Sequence, residues 1–243
     1  ALCSLAFHGE NSSIYDLGNI YVKNHDLEAA QIELGQQVAQ MRRKNVTPII
    51  LGGGHETAWG HFLGLTDLYE KHQVGIFNID AHFDLRPLIN GKANSGTPFN
   101  QMAHWCDEQK KPFHYFCYGI QEGSNTETLF ARAKELKTDY VLARDIYLQE
   151  KKEIINRCQK FLDKVDKIYL SICLDSFSAA IAPGVSAPQA MGLSIEYVLP
   201  ILELILASGK LASFDVVELA PNFDRDEITA KLAAQLIYSF VFR

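Results

Sequence analysis

Four times along this chain a short apolar run stops at a side chain able to hold a metal ion or a charged group. Ile49-Ile50-Leu51 runs into Gly52-Gly53-Gly54-His55-Glu56, and Ile76-Phe77-Asn78-Ile79 into Asp80-Ala81-His82-Phe83-Asp84. Ile168-Tyr169-Leu170-Ser171-Ile172 runs into Cys173-Leu174-Asp175, and the run from Leu211 reaches Glu218. Helix-length stretches separate these runs. Short, near-continuous apolar strands alternating with helices predict an α/β fold with a mainly parallel sheet covered on both faces. In open sheets of this kind ligands bind at the carboxyl ends of the strands, where all four polar groups fall.

The rest of the chain follows the same order. Residues 14–22 alternate loosely and are expected to form a strand. A helix is expected from Asp26 to the basic cluster Arg42-Arg43-Lys44, since cations suit a helix C-terminus. Helices are also predicted over residues 57–69, 102–110, 126–137, 148–161, 194–208 (capped by Ser194) and 226–240. Strands are predicted over 113–120 and 140–142. No repeat, linker or low-complexity tract interrupts the pattern, so one domain is expected across 1–243. The Gly-, Asn- and Ser-rich stretch 87–98, beside the second polar cluster, has the length and place of a substrate loop.

Asp80, His82 and Asp84 recur at every second position. If the strand persists to Asp84, all three point to one side; if it ends near Asp80, they crowd the mouth of the following loop. Either way two carboxylates and an imidazole converge. Like charges that close are costly unless a cation sits between them, and a divalent metal is the usual answer; a solvated polar loop is the plain alternative. Adding His55, Cys173 and Asp175 gives a donor set suited to manganese, magnesium or zinc and too large for one ion. A two-metal site with Asp80 or Cys173 as bridge follows, and such a pair makes hydroxide available near neutral pH. Glu218 stands free to orient a cationic substrate group.

Composition narrows the alternatives. The 243 residues are 47% hydrophobic and 21% charged, with a net charge of −6, which argues against a nucleic-acid footprint. The longest apolar stretch, residues 198–207, is broken by Pro200 and Glu203, so no membrane span is expected. Five cysteines form no CxxC pair and are odd in number, which points to reduced thiols in the cytoplasm. Cys3, Cys106, Cys117 and Cys158 are expected to be inert. His8, His25, His61, His72, His104 and His114 stand alone in sequence and are expected to be surface or core residues. The chain opens on Ala1 without methionine or a signal peptide, and missing N-terminal sequence is expected.

Taken together, Gly-Gly-Gly-His55, Asp80-Ala-His82-Phe-Asp84, and Ser171-Ile-Cys173-Leu-Asp175 followed by Ala182-Pro183-Gly184 resemble the three signature stretches of the ureohydrolase (arginase/agmatinase) superfamily. The flanks Glu56-Thr-Ala-Trp-Gly60, Leu85-Arg86, Ser95-Gly-Thr-Pro-Phe99 and Val185-Ser-Ala-Pro188 most resemble its formimidoylglutamase branch. The similarity runs from about Tyr15 to the C-terminus. It implies a three-layer α/β/α sandwich, two Mn2+ ions per subunit, and hydrolysis of N-formimidoyl-L-glutamate to L-glutamate and formamide in histidine breakdown, by a homo-oligomer. By motif position, one metal takes His55, Asp80 and Asp84, the other Asp80, His82 and Asp175, with residue 173 bridging. Asp80, His82 and Glu218 are the implied catalytic residues. Glu218 holds the amidine nitrogen, Arg86 the amino-acid end, and Asn94 and Ser95 line the substrate loop.

Two departures bear on this. Cys173 stands where most of the superfamily has a bridging aspartate, and a thiolate holds manganese less well. Ser95 stands where arginases carry a histidine, which argues against arginase itself and leaves the proton donor open. An agmatinase or guanidino-acid hydrolase is the alternative within the superfamily, disfavoured because Arg86 repels a cationic tail. A metal-poor, non-catalytic member of the fold is the alternative outside it.

Overall fold

The computed structural model describes residues 14–241. Asp26 starts the first helix, α1 (Leu27–Arg43), by accepting the Ala29 N–H at 3.0 Å, and Arg42 and Arg43 occupy its last turn. The chain then alternates: β1 (Ile49–Leu51), α2 (Thr57–Leu63), β2 (Val74–Ile79), α3 (Pro98–Glu108), β3 (His114–Ile120), α4 (Glu127–Glu135), β4 (Asp139–Leu142), α5 (Ala143–Leu148), α6 (Lys151–Asp163), β5 (Lys167–Cys173), α7 (Ile195–Ala207), β6 (Leu211–Val217) and α8 (Ile228–Val241). The six strands form one parallel sheet in the order β1-β6-β5-β2-β3-β4.

Period-two geometry divides the strand residues between two layers of helices. Phe77, Ile79, Leu170, Ile172, Phe214 and Val216 pack with α5 to α8. Ile76, Tyr115, Cys117 and Tyr169 pack with α1 to α4. The result is the expected three-layer α/β/α sandwich. From β2 the chain winds outward through β3 and β4, then returns to the other side of β2 with β5 and β6. The β2/β5 seam is therefore the topological switch point, and the crevice there opens at the strands' carboxyl ends.

Several local expectations differ from the structure. Residues 14–22 form no strand; Ile14, Tyr15, Leu17, Tyr21 and Val22 are exposed. The 57–69 stretch splits into α2 and a 3-10 turn (Thr66–Glu70), because the α2 C-terminus at Gly64 packs against α1, where no larger residue fits. The predicted 148–161 helix is α6, which starts at Lys151, and a further short helix, α5, precedes it. Helix α3 starts earlier than expected, with Pro98 in its first turn, where a missing N–H costs nothing. Ser194 precedes α7 but makes no side-chain cap; its hydroxyl turns to Glu196 at 3.3 Å. Cys106, Cys117, Cys158 and Cys173 are buried free thiols, while Cys3 and His8 lie outside the described residues. Among the described residues no helix is long and apolar enough to cross a membrane.

Two devices fix the loops over the crevice. Asn125 clamps the loop after β2: its Nδ2 donates to Ala81 O and Gln121 O at 2.9 and 2.8 Å, and its Oδ1 accepts the Phe83 N–H at 3.0 Å. The Ala182-Pro183-Gly184 loop is pinned to the start of α8. Gly184 donates its N–H to Thr229 Oγ1 at 2.7 Å and accepts the Ala220 N–H at 2.7 Å. A Cβ on Gly184 would come within 2.5 Å of the Asp224 Cβ, and Asp224 itself takes the Thr229 and Ala230 N–H groups of α8 at 3.0 Å each. Gly184→Ala should therefore destabilise the protein by ~1–3 kcal/mol, the usual cost of overpacking. A thermal melt should show this as a fall in Tm of several degrees; an unchanged Tm would show that the contact yields freely.

Candidate metal centre

The four strand ends meet at the β2/β5 seam. β2 stops at Ile79, so Asp80, His82 and Asp84 lie on the loop rather than along an extended strand. Asp80 is fully buried. Its Oδ1 accepts the His82 N–H at 2.8 Å, and its Oδ2 accepts Asn78 Nδ2 at 3.0 Å. The loop then turns at Asp84, whose φ of 47° is unusual for a residue with a side chain. Asp84 is held there because its carbonyl accepts the Phe99 N–H at 3.3 Å.

His55, also fully buried, reaches in from the triple-glycine turn after β1. Its Nδ1 lies 3.0 Å from Asp80 Oδ2 and 2.9 Å from Asp84 Oδ2. Neither approach has the alignment of a hydrogen bond, and Nδ1 is a buried polar atom without a hydrogen-bond partner. A nitrogen aimed between two carboxylates in this way could serve as a ligand atom. His82 Nδ1 sits similarly, 3.2 Å from Asp175 Oδ2 and 3.5 Å from Asp80 Oδ1. Cys173, at the end of β5, donates its thiol hydrogen to Asp175 Oδ1 at 2.8 Å.

Two groups able to hold a metal ion result, His55–Asp80–Cys173 and Asp80–His82–Asp175, with the candidate ligand atoms of each within 4.8 Å of one another. Asp80 belongs to both, and Cys173 is joined to the second through Asp175. Asp84 stands beside the first set through His55. Nitrogen and oxygen donors around a shared carboxylate, with an orphaned imidazole nitrogen between them, fit a pair of divalent ions.

The electrostatics of the site follow from the crowding. Burial alone would lower His82, but Asp175 and Asp80 outweigh it and raise the ring to about 11. His55 is likewise held well above its ordinary value against burial, by Asp80 and Asp84. Burial would raise Asp80, yet the two imidazoles bring it below the usual carboxylate range. Burial and the Asp80 charge push Asp175 up to about 6 and also raise Asp84. Burial and the neighbouring carboxylates hold the Cys173 thiol well above its usual value. Protons on the two rings thus occupy the electrostatic place of cations.

Glu218 approaches from the end of β6 with a φ of 69°. Its Oε1 accepts the His55 backbone N–H at 2.7 Å and its Oε2 accepts the Ser186 hydroxyl at 3.1 Å, so its carboxylate is fixed beside the ligand sets. Burial, then the nearby Glu218 charge, raises Glu56. Arg86 is exposed; its N–H donates to Gly96 O at 2.8 Å, and among the described residues no carboxylate lies within ion-pair distance of its guanidinium. Asn94 is spent on shaping the loop: its Oδ1 accepts the Gly96 N–H at 2.9 Å and its carbonyl accepts the Thr97 hydroxyl at 2.9 Å. Ser95 is exposed at the same turn.

Sequence reasoning missed three supporting groups. Asn78 and Asn125 brace the β2 loop, and His61 is a core residue, one of the two places expected for it, whose contacts with Asp215 and Ser213 have no local sequence signal. The available signal was polarity out of place, since Asn78, Ser171, Ser213 and Asp215 interrupt strands that are otherwise apolar.

Comparison with known proteins agrees with this geometry. A model of the arginase family matches residues 3–242. A formimidoylglutamase of Legionella pneumophila (strain Paris) is 46% identical over 237 residues, covering 97% of this chain and 73% of that protein. The crystal structure of formimidoylglutamase from Bacillus subtilis superposes with a TM-score of 0.82 at 25% identity, covering 94% of this chain and 71% of that one. The structure of Trypanosoma cruzi formiminoglutamase with Mn2+ gives 0.83 at 23% identity, over 94% and 74%. A parallel sheet with this switch point, ligand sets at its strand ends and a match along nearly the whole length identify the chain as a member of the arginase family.

Proposed function

We propose that this protein hydrolyses N-formimidoyl-L-glutamate to L-glutamate and formamide, with two manganese ions held by His55, Asp80, Asp84, Cys173, His82 and Asp175. The observation that carries the proposal is the pair of ligand sets sharing Asp80 beside a fixed Glu218. The 46% identity to an enzyme of that name supports the substrate, and the manganese named for the T. cruzi structure of the same fold agrees with the donor set. In the same reading the protein works in the cytoplasm as a homo-oligomer on a small molecule, without nucleic-acid or membrane partners.

When bound, the ion pair lowers the pKa of water and supplies a nucleophile near neutral pH. The chain's own residues do the rest. Asp80 and His82 hold the shared geometry. Glu218, immobilised by the His55 N–H and Ser186, offers its remaining lone pairs to the amidine N–H groups and stabilises the cationic amidinium. Arg86, with no carboxylate in ion-pair distance among the described residues, pairs with a carboxylate of the substrate's glutamate moiety. Water adds at the formimidoyl carbon, the bond to the glutamate nitrogen breaks, and that nitrogen leaves protonated.

With manganese present, formamide should be released from formimidoylglutamate, with no urea from arginine or agmatine. Two bound manganese ions and no turnover of formimidoylglutamate would sink the proposal. Replacing Arg86→Gln should raise KM roughly 10- to 100-fold with a smaller change in kcat, the scale of a lost charge-assisted hydrogen bond; an unchanged KM would remove Arg86 from substrate binding.

Metal loading must displace the protons held at His55, His82 and Cys173. Because these groups are raised in the metal-free protein, they remain protonated at neutral pH, and apparent manganese affinity should increase as pH rises. Adding Mn2+ to the weakly buffered protein should acidify the solution; uptake without proton release would contradict this account.

A further inference from the structure

The metal-ligating end of His55 faces the crevice, but its other nitrogen opens into a fully buried polar network that the reaction does not use. His55 Nε2 lies 2.9 Å from Ser171 Oγ, and the Ser171 hydroxyl donates to Asp215 Oδ1 at 2.6 Å. Asp215 Oδ2 accepts a short hydrogen bond from the Tyr169 hydroxyl and lies 2.7 Å from His61 Nδ1. His61 Nε2 lies 2.6 Å from Ser213 Oγ, whose hydroxyl donates to Pro48 O at 2.8 Å. Tyr169, Ser171, Ser213, Asp215, His55 and His61 are all fully buried.

Donor and acceptor counting assigns the direction of this chain. A carboxylate only accepts, so the Ser171 hydrogen is committed to Asp215 and its oxygen must accept Nε2–H from His55. The Ser213 hydrogen is committed to a carbonyl, so its oxygen must accept Nε2–H from His61. His61 and Tyr169 both engage Asp215 Oδ2, which leaves Oδ1 to act on Ser171.

We propose that Asp215 is a positioning residue for the metal centre, acting through Ser171 to fix a hydrogen on His55 Nε2 and so present the bare Nδ1 to the ion. The network orients the ring as well, because Ser171 and Asp215 lie on adjacent strands in register. Outer partners of this kind set a ligand's tautomer and basicity, and their removal typically weakens metal binding 10–100-fold.

This inference rests on the metal-centre reading above, and manganese binding separates the two. The test is Mn2+ affinity and stoichiometry of the full chain, by competition with a chelating indicator, alongside thermal melts of the metal-free protein. Ser171→Ala cuts the relay but leaves the Asp215–His61–Tyr169 cluster whole. It should fold, lose at most a few degrees of metal-free Tm, and bind one ion ~10–100-fold more weakly. Asp215→Asn should give a loss of similar size, and the double variant no more than the larger single loss, because both changes break one relay. If Asp215→Asn fails to fold, Ser171→Ala decides alone. A folded Ser171→Ala protein binding two ions with unaltered affinity would overturn the inference while leaving the metal centre standing. Failure of the unaltered protein to bind manganese would overturn both.

Discussion

The structure turns on burying one carboxylate. Asp80 has no exposure to water, and an isolated buried anion would cost far more than a domain's net stability. Its neighbours exist to offset that cost. Asn78 and the His82 N–H each donate to one oxygen, and the two imidazoles bring positive charge from opposite sides. Those imidazoles in turn need Asp84 and Asp175, which cannot both be ionised beside Asp80 without further cations. The site is therefore self-consistent only when protons or metal ions fill it, and the residues that hold the protons are the ones an ion would recruit.

The sheet makes this arrangement possible by dividing labour between its faces. Toward α5 to α8 the central strands present Phe77, Ile79, Leu170, Ile172, Phe214 and Val216, an apolar layer that carries the packing. The opposite face shows Asn78, Ser171, Cys173, Ser213 and Asp215 at alternate positions, leading to the crevice. Such a polar stripe would be destabilising unless fully satisfied, and the network through Tyr169 and His61 satisfies much of it. Strain is stored at the rim as well. Asp84 and Glu218 hold positive φ values, each costing of order 1–3 kcal/mol, and both are pinned by backbone hydrogen bonds, to Phe99 and Gly53.

Much of this was legible in the residues. Alternating apolar runs and helices gave the layered parallel sheet, and the polar residues ending four of those runs led to the crevice. What escaped were features decided by tertiary contact. Residues 14–22 alternate like a strand yet pair with no strand among the described residues, since periodicity says which face would be buried but not that a partner is there. Ser194 has the chemistry of a cap, but its hydroxyl finds Glu196. His61 is remote in sequence from Asp215 and Ser213, and no local pattern joins them. Asp215 itself gave a signal that sequence reading can use: a charge inside the buried strand Leu211–Val217 demands partners.

Cys173 fits this electrostatic picture better than a simple defect would. The crevice already gathers Asp80, Asp84, Asp175 and Glu218 around two imidazoles. A further carboxylate at the end of β5 would add another buried anion to the metal-free protein. A thiol held well above its usual pKa is neutral there and donates to Asp175 at 2.8 Å, so it removes a repulsion and satisfies an acceptor together. In the proposed manganese-loaded state the cost would fall on the sulfur, which would have to ionise and would offer a soft ligand. On the proposed metal assignment, cysteine at position 173 would favour the proton-filled site over the ion-filled one, relative to a carboxylate in the same place.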